Sequence, residues 1–188
     1  GSLNKISGFK DGFFYVQDIT AQKAVEILNP RPGDIILDYC SAPGTKTIQA
    51  AIAMQAKGKI FATDIDKERL KMLEQNCTRL GIDNIEIVDI EQVPALAKKI
   101  NFFDAVLTDV PCSNTGVLSK RVELRHRITQ KAIKSLAHTQ KQILDNVKDL
   151  VKKGGRLCYS TCSICPEENH GVIKSFLEQN NSFSQTSQ

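Results

Sequence analysis

Ile35-Ile36-Leu37-Asp38-Tyr39-Cys40-Ser41-Ala42-Pro43-Gly44-Thr45-Lys46-Thr47 (residues 35–47) is the stretch that decides the fold. The apolar run follows the turn Pro30-Arg31-Pro32-Gly33 and ends on an acid, which reads as a short buried strand. Small residues and a proline come next, and Thr45 then opens an alanine-rich segment to Gln55 that reads as a helix. Ser41, Ala42 and Gly44 leave the loop backbone open to close approach, and the helix N-terminus behind them offers unpaired N–H groups.

The same alternation repeats along the chain. Lys59 to Thr63 reads as a second strand, and Asp66 to Leu80 as a helix capped at its ends by Asp66 and Gly81. Ile85 to Val88 is a third strand, Val93 to Lys99 a short helix, and Ala105 to Thr108 a fourth strand. One apolar stripe from Ile133 to Val151 marks a long helix before Gly154-Gly155. Arg156 to Ser160 is the fifth strand, with Pro166 in the first turn of a last helix. Upstream, Gly8 to Leu28 reads as a strand or loop and one helix. Strands and helices in this rhythm predict an α/β domain, a Rossmann-like doubly wound and mainly parallel sheet. Gly1-Ser2 reads as a remnant of tag removal, residues 3–30 as a lead-in and residues 31–188 as the main domain.

Composition agrees with one globular domain of 188 residues: 41% of residues are hydrophobic and 24% charged. No apolar run approaches the roughly 20 residues that cross a bilayer, and no charged-then-apolar leader opens the chain. The expectation is a cytoplasmic protein with no membrane partner. The net charge of +4 permits a nucleic-acid partner without requiring one. Six cysteines in such a chain read as reduced thiols, and the lone pair Cys162-x-x-Cys165 lacks the further ligands of a zinc site, so no metal is expected.

In a doubly wound sheet, ligands bind outside the carboxyl ends of the strands. After the first strand, residues 40–46 lack the spacing of a phosphate-binding P-loop and the glycine fingerprint of a dinucleotide site. Asp64 follows the second strand about 20 residues past Gly44, where an acid meets ribose hydroxyls in nucleotide-binding folds. Asp89 follows the third strand, where an acceptor meets adenine or its surroundings. Asp109-Val110-Pro111-Cys112-Ser113 follows the fourth and Ser160-Thr161-Cys162-Ser163 the fifth. Placement at strand ends nominates Cys112 and Cys162 equally as reactive thiols. A ligand-free turn, a plain helix cap and inert buried cysteines remain alternatives at this level, and Cys40, Cys77 and Cys158 read as the inert kind.

Three motifs in this order, LDYCSAPGTKT (37–47), DVPCSNTG (109–116) and YSTCSICPEEN (159–169), resemble the Sun-type (RsmB-like) RNA cytosine-5 methyltransferases. The likeness runs from about Gly12 to Asn169 and implies a class I methyltransferase fold using S-adenosyl-L-methionine. It implies that Cys40, Ser41, Ala42, Pro43, Gly44, Thr45 and Lys46 line the methionine and ribose part of the cofactor. It places Asp64 on the ribose, Asp89 near the adenine and Asp109 beside both cofactor and target base. Cys162 takes the role of nucleophile, and Cys112 that of the second cysteine that helps release product. The implied partner is RNA, ribosomal RNA ahead of transfer RNA. Alternatives are a tRNA or DNA cytosine-5 methyltransferase and a non-catalytic RNA-binding scaffold that retains the cofactor. Val88 stands where the family usually has glycine before the third-strand acid, and the Pro-Asp pair and tryptophan of many relatives are absent after Cys112. The family usually carries N-terminal RNA-binding modules and two more C-terminal strands, so the chain reads as shortened at both ends.

The chemistry explains these residue types. Cytosine C5 is a weak nucleophile, and a thiolate added at C6 turns it into an enamine-like carbon able to attack a sulfonium methyl. A carboxyl group at Asp109 reaching N3 or N4 would steady the charge of that adduct. The basic run Lys120, Arg121, Arg125, His126, Arg127 and Lys131, broken by one acid, Glu123, reads either as a solvated face or, close after Cys112, as the place where RNA phosphates are expected.

Overall fold

Ile35–Asp38 forms strand β1, the central strand of a five-stranded sheet. The computed structural model describes residues 5–119 and 128–186. Its contacts divide the chain into two units, Gly1–Thr108 with Leu150–Cys158, and Asp109–Asp149 with Tyr159–Gln188.

In the first unit β1 lies between β2 (Lys59–Ala62) and β4 (Phe103–Asp109), followed outward by β3 (Ile85–Ile87) and β5 (Val151–Ser160). The order is β3-β2-β1-β4-β5, with Ile36 in parallel register with Ile60 and Ala105, and Ile60 with Ile85. Thr108 Oγ1 donates to the carbonyl of Cys158, and the Val110 N–H donates to that of Ser160, so β4 and β5 advance together. The sheet is parallel throughout, as the alternation predicted.

Central strands of such a sheet are buried on both faces, which is why β1 and β4 are apolar runs rather than alternating ones. Ile36 and Leu107 join Val25, Leu28 and Met54 in one cluster, fed by α1 (Ile19–Leu28) and α2 (Thr45–Ala53). Ile48 and Ala62 join Leu70 and Leu73 of α3 (Lys67–Leu80) in another. Helix α4 (Val93–Lys99) follows β3. The caps fall where the sequence put them: Asp66 accepts from the Arg69 N–H, and Gly81 closes α3 in the left-handed region.

The lead-in is pinned to α3. Arg79 donates to the carbonyls of Phe9 (2.6 Å) and Phe14 (3.0 Å), with its guanidinium 4.1 Å from the Phe9 ring centre. Gly12 permits this approach, since a Cβ there would fall 1.9 Å from the Arg79 carbonyl oxygen.

Strand β5 is longer than the sequence suggests. Gly154-Gly155 reads as the stop of a helix, yet the strand begins at Val151 and bends through these residues. A Cβ on Gly155 would meet Val151 at 2.8 Å and the Asp104 carbonyl oxygen at 3.0 Å, so the glycine serves a close backbone approach. Asp104 accepts from the Ile35 N–H and from Lys152 Nζ, both at 2.8 Å, and Asp34 pairs with Arg156 at 2.5 Å. These partners outweigh the burial that opposes ionisation and hold the Asp104 carboxyl below its ordinary range.

The second unit carries α5 (Gln130–Val147), capped by the Thr129 hydroxyl, and α6 (His170–Gln179), preceded by a 3-10 turn at Pro166–Glu168. Its residues 110–117 and 161–165 are loops that directly continue β4 and β5. Among the described residues no helix is long and apolar enough to cross a membrane.

Candidate active site

Within the first unit, the loop after β1 is held from both sides. The Ser41 N–H donates to the Thr63 carbonyl at 3.0 Å, and the Ala42 N–H donates to Asp64 Oδ2 at 3.0 Å. Arg69 Nη2 donates to the Ala42 carbonyl at 2.6 Å, and Thr47 Oγ1 donates to buried Asp38 at 2.7 Å. The Ala42–Pro43 peptide is cis. Gly44 sits at φ 104°, and a Cβ there would strike Leu73 Cδ1 at 2.3 Å, so only glycine lets the loop turn into α2 over that leucine.

Asp64 is half-buried and also accepts from the Asp66 N–H at 2.9 Å, which aims its carboxylate along the carboxyl edge of β2. Asp89 is exposed and 2.9 Å from Lys67 Nζ, and that hydrogen bond raises the lysine's pKa. Lys67, Leu70, Ile87, Val88, Asp89 and Gln92 line a cleft of about 370 Å³. Thr63 Oγ1 is buried with no hydrogen-bond partner among the described residues. Carboxylates at two successive strand ends, a mixed cleft where Leu70, Ile87 and Val88 stand among charged side chains including Lys71 and Glu74, and a glycine-opened helix N-terminus suit a ligand with a ribose, a flat base and a charged amino-acid end. The donor set therefore fits S-adenosylmethionine.

Within the second unit, the sequence-nominated thiols meet. Cys112 Sγ and Cys162 Sγ are 3.1 Å apart, and neither is in a disulfide. Cys162 is exposed and Cys112 half-buried. The hydrogen bond with Cys162, then burial, then the charge an ionised Cys162 would carry all push the Cys112 thiol far above its ordinary range. Cys162 Sγ also donates to Asn114 Oδ1 at 2.9 Å, and Asn114 Nδ2 donates to the Cys112 carbonyl at 2.9 Å. Asn114 occupies the left-handed region at φ 58°, a conformation asparagine tolerates well. The Gly116 N–H donates to the Cys162 carbonyl at 2.9 Å, and a Cβ on Gly116 would come within 2.7 Å of that oxygen. Asp109 accepts from Ser160 Oγ at 2.9 Å.

Beneath the thiols lies Glu168, fully buried. Its Oε1 accepts from the Ser113 N–H (2.8 Å) and Gln140 Nε2 (3.0 Å); its Oε2 accepts from Ser163 Oγ (2.6 Å) and from Ser113 Oγ. Burial alone would raise the carboxyl's pKa, but these donors outweigh it and the net shift is downward. Tyr159 donates to the Glu168 carbonyl at 2.5 Å; burial, then the Glu168 charge, raises its phenol. Asn169 accepts from Thr161 Oγ1 and donates to the Ser163 and Cys165 carbonyls.

Sequence reasoning passed over Glu168, Asn114, Ser113, Ser163 and Gln140. Glu168 follows a proline in a helix opening, where acids are ordinarily solvent-facing dipole partners, so nothing marked it as buried. The available signal was its place in the same motif as Cys162. The basic residues Lys120, Arg121, Arg125, His126 and Arg127 lie outside the described residues.

The family described as 16S rRNA methyltransferase RsmB/F matches residues 25–188. A probable ribosomal RNA small subunit methyltransferase B from Synechocystis is 40% identical over 95% of this chain and 40% of its own length. The ribosomal RNA small subunit methyltransferase B of Erwinia tasmaniensis is 39% identical over 95% of this chain and 41% of its own. The crystal structure of NSun6 from Pyrococcus horikoshii, solved with SFG, an analogue of S-adenosylmethionine, superposes with a TM-score of 0.85 at 32% identity. That match covers 96% of this chain and 46% of that one. The chain spans about 40% of the length of the curated relatives it matches.

Proposed function

The chain belongs to the 16S rRNA methyltransferase RsmB/F family, and from that premise we propose that it methylates C5 of a cytosine in RNA, ribosomal RNA first, through a covalent bond to Cys162. The observation that carries this reading is the thiol pair itself: an exposed Cys162 with its sulfur 3.1 Å from that of the half-buried Cys112. S-adenosylmethionine, when bound, supplies the electrophilic methyl carbon.

The chain's own groups do the rest. Asp64 would hold the ribose hydroxyls of that cofactor, and the cleft beside Asp89 would take its adenine. Cys162, as thiolate, adds to C6 of the cytosine, and the displaced electron pair passes to C5. Asp109, held by Ser160, faces N3 and N4 of the base and steadies the charge that builds there. Once C5 carries the methyl group, a water molecule takes the C5 proton, the freed C–H electron pair forms the C5–C6 double bond, and the C6–S pair returns to the Cys162 sulfur. The departing Cys162 sulfur accepts the Cys112 S–H, which makes it the better leaving group. The basic stretch 120–127 meets the RNA phosphates, and the target base must come from a single strand or be turned out of a stack.

The reading is tested by incubating the purified chain with methyl-labelled cofactor and small-subunit rRNA, tRNA or DNA, then digesting to nucleosides. Label in 5-methylcytosine from rRNA supports it; label from tRNA or DNA alone revises the substrate. Cofactor binding with no methyl transfer to any nucleic acid would favour an RNA-binding scaffold.

A further inference from the structure

Glu168 has no part in the chemistry above, yet among the described residues of the second unit its side chain is the most completely bonded. Both carboxylate oxygens take two donors each, so the four lone-pair positions of an ionised carboxyl are filled. The donors are informative. Ser113 immediately follows Cys112, and Ser163 immediately follows Cys162. Their hydroxyls both point at Oε2 and lie 3.1 Å from one another. One buried carboxylate thus grips, through adjacent residues, the two backbone segments that carry the thiols. The grip extends outward, for the Cys165 N–H donates to Ser163 Oγ and the Ile164 N–H to Thr115 Oγ1, both at 3.0 Å.

From this arrangement we infer that Glu168 is a positioning residue for the thiol pair, a buried anionic staple that sets the Cys112–Cys162 spacing through Ser113 and Ser163. The inference rests on the proposed role of the two cysteines, but its geometry stands apart from any RNA. The carboxylate serves here because it is the one side chain with four acceptor sites and no donor. A glutamine in its place turns an NH2 group toward hydroxyls that are themselves donating. At least one serine must then rotate or let go, and the segment behind it moves. A thiol displaced by about 1 Å costs on the order of 100-fold in turnover, while RNA affinity, set elsewhere, stays as it was. Releasing the spacing also withdraws the Cys112 S–H from Cys162.

The test is the alkylation of Cys162 by iodoacetamide at pH 7, followed by peptide mass spectrometry to separate it from the other five cysteines. It uses Glu168→Gln, Ser163→Ala and Cys112→Ala, singly and in pairs. Glu168→Gln is expected to slow Cys162 labelling by about tenfold, because the thiolate loses the neighbouring thiol as a hydrogen-bond partner. In the Cys112→Ala background the same substitution should change nothing, because the donor it misplaces is already gone. A residue that only supports the fold would slow or speed labelling equally in both backgrounds. Should Glu168→Gln not fold, Ser163→Ala decides, since it removes one grip and leaves the carboxylate its other donors. Cys162 labelling that is unchanged from wild type in the folded variant, or changed equally with and without Cys112, overturns the inference. Wild-type protein that forms no 5-methylcytosine would sink the functional reading and leave this result untouched.

Discussion

Cys112 Sγ and Cys162 Sγ lie 3.1 Å apart although fifty positions separate them in the chain. Cys162 is exposed, whereas Cys112 is half-buried and its thiol is pushed up by the contact with Cys162 and by burial, so the two are chemically unequal. The expected outcome follows: Cys162→Ala abolishes methyl transfer, whereas Cys112→Ala forms the bond to C6 and releases it poorly. Denaturing gels of each variant with labelled RNA check this. A slow-migrating adduct with Cys112→Ala and none with Cys162→Ala is predicted.

Two glycines separate cofactor handling from thiol placement. Gly44→Ala forces a side chain onto a left-handed residue and into Leu73, at a cost of about 1–3 kcal/mol, and weakens cofactor binding by calorimetry. Gly116→Ala instead presses on the Cys162 carbonyl, and should lower turnover while cofactor affinity stays at the wild-type value.

Asn114 makes a similar point about backbone shape. At φ 58° a β-branched side chain is disfavoured, so Asn114→Val should lower stability by about 1–2 kcal/mol and turnover further. Asn114→Gly keeps the backbone and loses only the two side-chain hydrogen bonds; thermal melts beside activity assays distinguish them.

The pH dependence of stability should carry the mark of Glu168. Its carboxyl is held lower in the folded protein than in the unfolded chain, so the folded state binds its proton less readily. That contribution is present in full above the unfolded value of about 4.3 and is lost as pH falls through the folded value. Asp104 acts in the same direction through Lys152 and the Ile35 N–H. Melting temperature should therefore fall as pH drops from about 5 toward 3, and the curve for Glu168→Gln should be flatter.

How much of this was legible beforehand differs by kind of interaction. Strands β1, β2 and β4, the helix cap at Asp66 and the stop at Gly81 follow from local pattern and cap chemistry, which sequence records directly. Gly154-Gly155 misled because glycine marks both a helix stop and a close strand approach, and only the distant Asp104 carbonyl distinguishes them. The candidate residues of the cofactor loop and the two cysteines were nominated by their places at strand ends. Glu168 was not, because its burial depends on donors from residues 113, 140 and 163. Asn114 reads as an ordinary turn residue until Cys162 is seen beside it.

The central claim is that Cys162 is the residue that bonds to the base. RNA containing 5-fluorocytidine at the target position tests it directly, because fluorine in place of the C5 proton blocks release and traps the adduct. Protease digestion and mass spectrometry of the trapped complex should find the nucleotide on the peptide containing Cys162. A nucleotide on the Cys112 peptide would contradict the account.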